Sequence, residues 1–300
     1  MRTYKVYQVD AFTTEPFKGN PAGVVMNADG LNETEMLAIA RELNNSETAF
    51  LFSPDEPDHE VHIRYFTPLT EVPVCGHATI ASHYVRAVEG QLNSGVIMHK
   101  IGVGILPVEI VRHNGSCSII MTQGAISFDN PFNAEKRQCL LQALGLTEED
   151  LDERCPVEVV STGHSKVMIG IRKRSKLDSL TPDLAALKVL SAKINCNGYF
   201  VFTLDSQMDG VLTHGRMFAP AIGIAEDPVT GNANGPLGAY LVKHKLAAFE
   251  GSQFCFKGEQ GSAIGRSGIV NVYVKVEAGE PVLVRIGGEA VIVFITEMTL

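Results

Sequence analysis

The chain repeats itself. Arg64-Tyr65-Phe66-Thr67-Pro68 returns as Arg216-Met217-Phe218-Ala219-Pro220, 152 residues on, and the same offset carries Asn45 onto Asn197 and Phe50 onto Phe202. A second pair of segments, Glu71-Val72-Pro73-Val74-Cys75-Gly76-His77-Ala78-Thr79 and Glu226-Asp227-Pro228-Val229-Thr230-Gly231-Asn232-Ala233-Asn234, is offset by 155 residues, so three residues have been inserted between the motifs of the later copy. Repetition at half the chain length is too coarse for a solenoid. It implies two like-folded lobes facing one another, with the chemistry expected in the cleft between them.

The bulk properties agree with two domains and exclude several partners. Three hundred residues lie at the upper edge of what one core can hold. With 45% hydrophobic and 20% charged residues the composition is that of a globular protein, and no apolar run is long enough for a membrane span. The N-terminus moves directly into strand-like sequence without a secretory signal, which points to the cytoplasm. A net charge of −9 without a Lys/Arg cluster argues against nucleic acid. The six cysteines, at 75, 117, 139, 155, 196 and 255, form no C-x-x-C pair, so neither a zinc motif nor a disulfide scaffold can be read from them.

Patterning places the motifs on elements. Tyr4–Phe12, Thr48–Phe52, Val61–Phe66, Gly104–Arg112 and Cys117–Thr122 read as strands of the first lobe. Asn32 and Glu35 form a capping box for a helix starting at Glu33 and ending near Asn44. A second helix is expected from about Ala78 to Glu89, with Gly90 as a left-handed cap. In the second lobe Thr181 is expected to cap, and Pro182 to begin, a helix carrying Leu184, Leu187 and Leu190. A helix after Gly231 has Pro236 at an early position, and another runs Ala134–Leu144 to Gly145. Strands are expected at Lys166–Ile171, Tyr199–Leu204, Gly268–Lys275, Val282–Ile286 and Ala290–Thr296. The lobe boundary is placed at Ala125–Asn133, where turn-forming residues cluster, giving lobes of 1–125 and 126–287 with the final strand, about 288–300, packing back on the first.

Three signals carry chemistry. Gly76 and Gly231 each stand immediately before a helical segment, and free amides at a helix start, reinforced by the helix dipole, hold carboxylates. Two such junctions suit a small acidic metabolite, although each glycine alone is as well explained by a tight turn. Glu47, in Asn44-Asn45-Ser46-Glu47-Thr48-Ala49-Phe50, lies between a helix end and a buried strand, where desolvation would move a carboxyl group toward neutrality, as a proton shuttle requires. By the 152-residue offset its counterpart is Tyr199. His77 and Asp227 are the third signal, able to donate to, hold or relay a proton on a substrate. A structural histidine and a turn-opening Asp before Pro228 are the plain alternatives. Cys75 could serve a two-thiol racemase, but Thr230 stands at the opposing repeat position.

Together, Asp10-Ala11-Phe12, Phe17-Lys18-Gly19-Asn20-Pro21-Ala22-Gly23-Val24, Ser46-Glu47-Thr48-Ala49-Phe50, Arg64-Tyr65-Phe66-Thr67-Pro68, Cys75-Gly76-His77-Ala78-Thr79 and Glu226-Asp227-Pro228-Val229-Thr230-Gly231 resemble the phenazine-biosynthesis (PhzF-like) isomerase family over nearly the whole chain. The resemblance implies an α+β fold of the diaminopimelate-epimerase type: two pseudo-symmetric lobes, each a mixed barrel-like sheet around a central helix, with the active site between them and usually a homodimer. The phenazine enzyme isomerises a dihydro-hydroxyanthranilate without a cofactor. By motif its catalytic glutamate falls on Glu47, its assisting histidine on His77, its assisting aspartate on Asp227, and a substrate-contacting serine on Asn232. Ser46, Cys75, Gly76, Gly231 and Asn232 are then expected to line the substrate.

Counting bases selects a mechanism. Inverting a stereocentre needs a proton donor on each face of the carbanion, whereas moving hydrogen along one face needs a single carboxylate, and the chain offers one good candidate, Glu47. The expected reaction is removal of a proton next to a conjugated or carboxylate-bearing system and its return elsewhere, with no cofactor and no metal. An amino-acid or hydroxy-acid epimerase using Cys75, or a metabolite-binding protein without turnover, are the rival readings.

Overall fold

Polar capping, rather than hydrophobic strength, sets where the first helix begins. The Asn32 side chain accepts from the Glu35 amide at 3.0 Å while Glu35 accepts from the Asn32 amide at 2.9 Å, so two orphan donors of the first turn are satisfied reciprocally. A computed structural model describes all of residues 1–300, and the chain divides into two units, Met1–Thr122 with Gly287–Leu300, and Gln123–Ile286. The division precedes Ala125 because Gln123 is already tied to the second unit, its amide donating to Val284 O at 3.0 Å.

The first unit contains β1 (Thr3–Ala11), β2 (Asn20–Val25), α1 (Glu33–Leu43), β3 (Thr48–Phe52), β4 (Val61–Phe66), β5 (Glu71–Val72), α2 (Gly76–Glu89), β6 (Gly95–Ile101), β7 (Gly104–His113) and β8 (Ser116–Thr122). Its strands close into a round of eight. The chain's last strand pairs with β1, β1 with β2, β2 runs parallel to β3, β3 pairs with β4, β4 runs parallel to β6, and β6, β7 and β8 follow, β8 meeting the last strand again. Helix α2 packs against β1, β2, β3, β7 and β8, which makes it the central helix of the round. Met36, Ile39 and Ala40 of α1 pack on Tyr4, Val6, Val25, Phe50 and Phe66, each large side chain contributing roughly 1.5–3 kcal/mol by leaving water.

The second unit contains β9 (Ile126–Phe128), α3 (Ala134–Leu144), β10 (Glu158–Thr162), β11 (Ser165–Ile171), α4 (Arg174–Asp178), α5 (Leu184–Ile194), β12 (Tyr199–Thr203), β13 (Thr213–Ala219), β14 (Ile224–Asp227), α6 (Gly231–Lys243), β15 (Gln253–Gln260), β16 (Gly268–Glu277) and the start of β17 (Glu280–Thr299). Its internal pairing copies the first unit: β10–β11 antiparallel, β11–β12 parallel, β12–β13 antiparallel, β13–β15 parallel, β15–β16 antiparallel. Helix α6 packs on β10, β11, β15 and β16, as α2 does in its own unit. The duplication extends to side chains. Arg64 on β4 holds Glu71 with two bonds of 2.7 and 2.6 Å, and Arg216 on β13 holds Glu226 with bonds of 2.9 and 2.7 Å.

Register moves the 152-residue alignment by one over residues 45–50: Phe50 faces Arg64 and Val201 faces Arg216, so Phe50 corresponds to Val201 and not Phe202, and Asn45 to Cys196 and not Asn197. Thr48 faces Phe66 and Gly23, while Tyr199 faces Phe218 and Val167, so Tyr199 corresponds to Thr48 and the counterpart of Glu47 is Gly198. The same backbone bond proves the point: Gly23 N–H donates to Glu47 O at 3.3 Å, and Val167 N–H donates to Gly198 O at 2.8 Å.

Several boundaries also move. Helix α2 starts at Gly76, not Ala78, and Gly90 ends it at φ −83, the left-handed turn being taken one residue later by Gln91 at φ 49. Helix α5 is capped by Asp183, whose carboxylate accepts from the Ala186 amide at 3.0 Å, rather than by Thr181. Pro236 lies inside α6, beyond its first turn, and so deprives Asn232 O of the amide four residues on. The two strands expected at Val282–Ile286 and Ala290–Thr296 are one, β17. Gly287 and Gly288 do not break it. They admit close neighbours, since a Cβ would come within 2.9 Å of Ile120 at Gly287 and within 2.5 Å of Phe12 at Gly288.

Candidate active site

In the first unit a short pinned loop presents Glu47. Asn44 closes α1 in the left-handed conformation at φ 52, the Asn45 amide exchanges two bonds of 2.9 Å with Gln8, and β3 begins at Thr48. Little freedom remains for the residue between. The Glu47 side chain is 16% exposed, so it is screened from bulk water yet open to a ligand. Opposite it, α2 begins at Gly76 after Cys75 in extended conformation (φ −147), and Thr79 Oγ1 donates to Cys75 O at 2.7 Å while standing 2.7 Å from Tyr65 Oη. This fixes the first turn and with it His77.

Four expected residues meet here. His77 Nε2 is 3.3 Å from Glu47 Oε2 and 3.3 Å from Ser46 Oγ, and His77 Nδ1 is 3.5 Å from Cys75 Sγ. The imidazole thus links the carboxylate to the thiol, and its ring tautomer is set by which neighbour accepts. The amides at the start of α2 lack acceptors within the helix, and no acidic residue occupies its first turn, so the helix itself supplies no negative charge at the positive end of its dipole. A partly enclosed carboxylate, a hydrogen-bonded imidazole and a helix start can abstract a proton, orient an oxygen and stabilise an anion. Glu47, Cys75 and His77 also offer one donor atom each, all within 4.8 Å of one another, a set able to take a metal ion. Cysteine and histidine spacing did not announce it because the glutamate comes from a segment 28 residues earlier (47 to 75).

The second unit places Asp227, Gly231 and Asn232 at the equivalent junction of β14 and α6. Asp227 is buried, and Thr230 Oγ1 donates to its Oδ2. Gln260 Nε2 donates to Asp227 O at 2.9 Å and to Thr230 Oγ1 at 3.0 Å, and its Oε1 accepts from the Thr230 amide and from Asn234 Nδ2, both at 3.1 Å. Gln123 Nε2 donates to Asn232 Oδ1 at 2.9 Å and to Gly231 O at 3.3 Å, while its Oε1 accepts from Thr162 Oγ1 at 2.7 Å. Gly235 makes room for it, since a Cβ there would lie 1.8 Å from Gln123 Oε1. Two glutamines therefore hold this junction, and neither carried a sequence signal.

Lys166 is a third residue that sequence reading passed over. At the position where the first unit has Glu47, the second has Gly198, and the Lys166 side chain lies across it, with Cδ 2.3 Å from where a Cβ would be. Burial lowers the Lys166 pKa, opposed by the nearby Cys196 and Asp227. The signal that could have found it is the glycine opposite the acid, visible only once the register is known.

Comparison with known proteins places these features in context. A family model described as "Phenazine biosynthesis-like protein" matches residues 9–296. An uncharacterized isomerase of Clostridium acetobutylicum is 56% identical over 300 residues, covering 100% of this chain and 99% of that protein. The trans-2,3-dihydro-3-hydroxyanthranilate isomerase of Pseudomonas chlororaphis is 33% identical over 288 residues, covering 94% of this chain and 95% of that one. Among solved structures, the phenazine biosynthesis protein of the PhzF family from Bacillus anthracis superposes with a TM-score of 0.90 at 34% identity, with both chains covered completely. A hydroxyproline epimerase from Agrobacterium vitis gives a TM-score of 0.63 at 13% identity, covering 100% of this chain and 93% of that one, a likeness of fold alone. The α+β architecture expected from the sequence is that of these proteins, and no helix is long and apolar enough to cross a membrane.

Proposed function

For a chain that belongs to the phenazine biosynthesis-like (PhzF) family, whose curated relatives are named isomerases, we propose a cofactor-independent isomerase that moves a proton between two carbons of a small carboxylate-bearing metabolite. The observation that carries this reading is the pairing of Glu47 with His77 at 3.3 Å beside the start of α2. Glu47 takes the proton as its C–H bond breaks, the electron pair spreads into the conjugated system, and the same carboxyl group returns the proton to a second carbon. Atoms and charge balance without a redox partner. His77 polarises the substrate and keeps Glu47 oriented, and the amides around Gly76 stabilise the charge that develops.

Two observations favour one base over two. The register puts Gly198 where a second Glu47 would stand, and Thr230 occupies the repeat position of Cys75. An epimerase would need a group on each face of the carbanion.

The experiment is turnover in deuterium oxide of a panel of unsaturated carboxylates, beginning with trans-2,3-dihydro-3-hydroxyanthranilate, followed by mass spectrometry and NMR. Deuterium at a carbon other than the one deprotonated is the expected result, and Glu47→Gln should lower the rate by about 10²–10⁴-fold. Inversion at a labelled α-carbon, or full activity in Glu47→Gln, would overturn the proposal.

A further inference from the structure

We propose that Glu47, Cys75 and His77 form a site for a zinc-class divalent metal ion, and that an ion bound there switches the isomerase off. The inhibitory half rests on the proposed role of Glu47; the metal site does not.

Zinc binds carboxylate oxygen, imidazole nitrogen and thiolate sulfur at about 2.0–2.3 Å, most often in a tetrahedron. Two such bonds at the tetrahedral angle put their donor atoms about 3.4–3.6 Å apart. Here His77 Nε2 lies 3.3 Å from Glu47 Oε2 and 3.9 Å from Cys75 Sγ. The nitrogen–oxygen edge of the tetrahedron is thus present to within a few tenths of an ångström, while the sulfur, 3.5 Å from His77 Nδ1, lies beside the ring and reaches an ion on Nε2 by rotation of the Cys75 side chain. The edge between the sulfur and the carboxylate is no longer than 4.8 Å and closes by rotation of the glutamate. The backbones of Glu47 and Cys75 are held, by the Gly23–Glu47 bond on one side and the Thr79–Cys75 bond on the other, so binding asks for side-chain rotation and not for a change of fold.

Charge and ligand type also fit. A thiolate and a carboxylate neutralise a divalent ion, so the enclosed site would carry no net charge once filled. Three protein donors leave a fourth position for water or a substrate oxygen. Magnesium and calcium, which require six or more oxygen ligands, are excluded by a set with one carboxylate. Because the donors must be deprotonated, the ion engages the lone pair with which Glu47 would accept a proton. Ser46 Oγ, 3.3 Å from the same imidazole nitrogen, loses that contact when the ion is bound.

The test uses the full chain, stripped of metal with a chelator and titrated with Co²⁺ as the spectroscopic probe, then with Zn²⁺ as competitor. One Co²⁺ per chain with a thiolate charge-transfer band is expected. Cys75→Ser should abolish that band, and His77→Asn and Glu47→Gln should weaken binding by about tenfold or more, since even outer neighbours of ligands cost that much. Removing the exposed Cys139 and Cys255 together should leave the spectrum unchanged. Zn²⁺ should displace Co²⁺ and suppress deuterium exchange in proportion to occupancy, with EDTA restoring it. Absence of the band, or its persistence in Cys75→Ser, overturns the metal site. A filled site that leaves exchange untouched overturns the inhibition and the role of Glu47 together, while Glu47-dependent exchange in a chain that binds no cobalt overturns the metal site alone.

Discussion

The duplicated ion pairs offer a controlled measurement of what burial does to one interaction. Arg216 and Glu226 are 9% and 12% exposed, and Arg216 Nη1 also donates to the carbonyls of Leu177 at 3.0 Å and Leu180 at 2.9 Å. Arg64 and Glu71, their copies, are 27% and 37% exposed, and Arg64 has no such carbonyl partners among its bonds. Arg216→Met leaves a carboxylate and two carbonyls without donors in a site water reaches poorly, which costs about 3–5 kcal/mol. Arg64→Met leaves Glu71 free to hydrate and costs about 1 kcal/mol or less. In urea, with a slope of about 2 kcal/mol/M, the midpoint should fall by about 1.5–2.5 M for Arg216→Met and by about 0.5 M for Arg64→Met. Followed by circular dichroism, Arg216→Met/Glu226→Leu should recover at least half of the larger loss, because the stranded charge is gone. Equal shifts for the two single variants, or no recovery in the double, would refute the reasoning. Glu226 immediately precedes Asp227 on β14, so the Arg216 variant is also expected to turn over more slowly than its stability alone would require.

Three further outcomes are expected. His83 and His99 are buried with Nε2 and Nδ1 3.1 Å apart, and burial, with help from Arg86, pushes His99 down to about 4 and His83 well below its ordinary value. Both must be neutral in the fold, so their contribution is complete above pH 6.5 and is lost as pH falls toward 4; at pH 5 His99 alone should cost about 2 kcal/mol, read from urea midpoints at pH 7.5 and 5.0 and flattened in His99→Gln. Gly235→Ala drives a methyl group into Gln123 Oε1, and a loss of about 1–3 kcal/mol in thermal unfolding is expected, with reduced turnover if the Asn232 side of the junction matters. Asp183→Ala should lower stability by about 1 kcal/mol, whereas Thr181→Ala should change it by less than half of that, which checks the cap of α5.

What the sequence disclosed, and what it hid, divides along physical lines. Local chemistry was legible: Asn32 with Glu35 specified the start of α1, and Gly145, at φ 66, specified the end of α3. Glu47 could be named from its place between a helix end and a buried strand, and Gly76 with His77 from the glycine at a helix start, whereas Ser46 entered through the family resemblance. Decisions that depend on distant neighbours were not legible. Asp183 outcompetes Thr181 by one favourable bond, and Gly287–Gly288 resembles a break only until Ile120 and Phe12 are seen against it. Alignment by identity put Tyr199 opposite Glu47, whereas hydrogen-bond register puts Gly198 there, a one-residue slip that reverses which face a side chain occupies. Gln123, Gln260 and Lys166 had no signature because their significance lies wholly in what they touch.

The path of β17 has a consequence for how the protein is made. Its residues from Gly287 onward belong to the first unit and supply the strand that both β1 and β8 need as partner. Until they leave the ribosome, the first 122 residues carry two open sheet edges, while residues 123–286 are already complete. At about 5–20 residues per second the intervening stretch takes roughly 10–30 s to synthesise. The half of the molecule translated first is thus the half finished last, and the nascent protein must shield those edges throughout the wait.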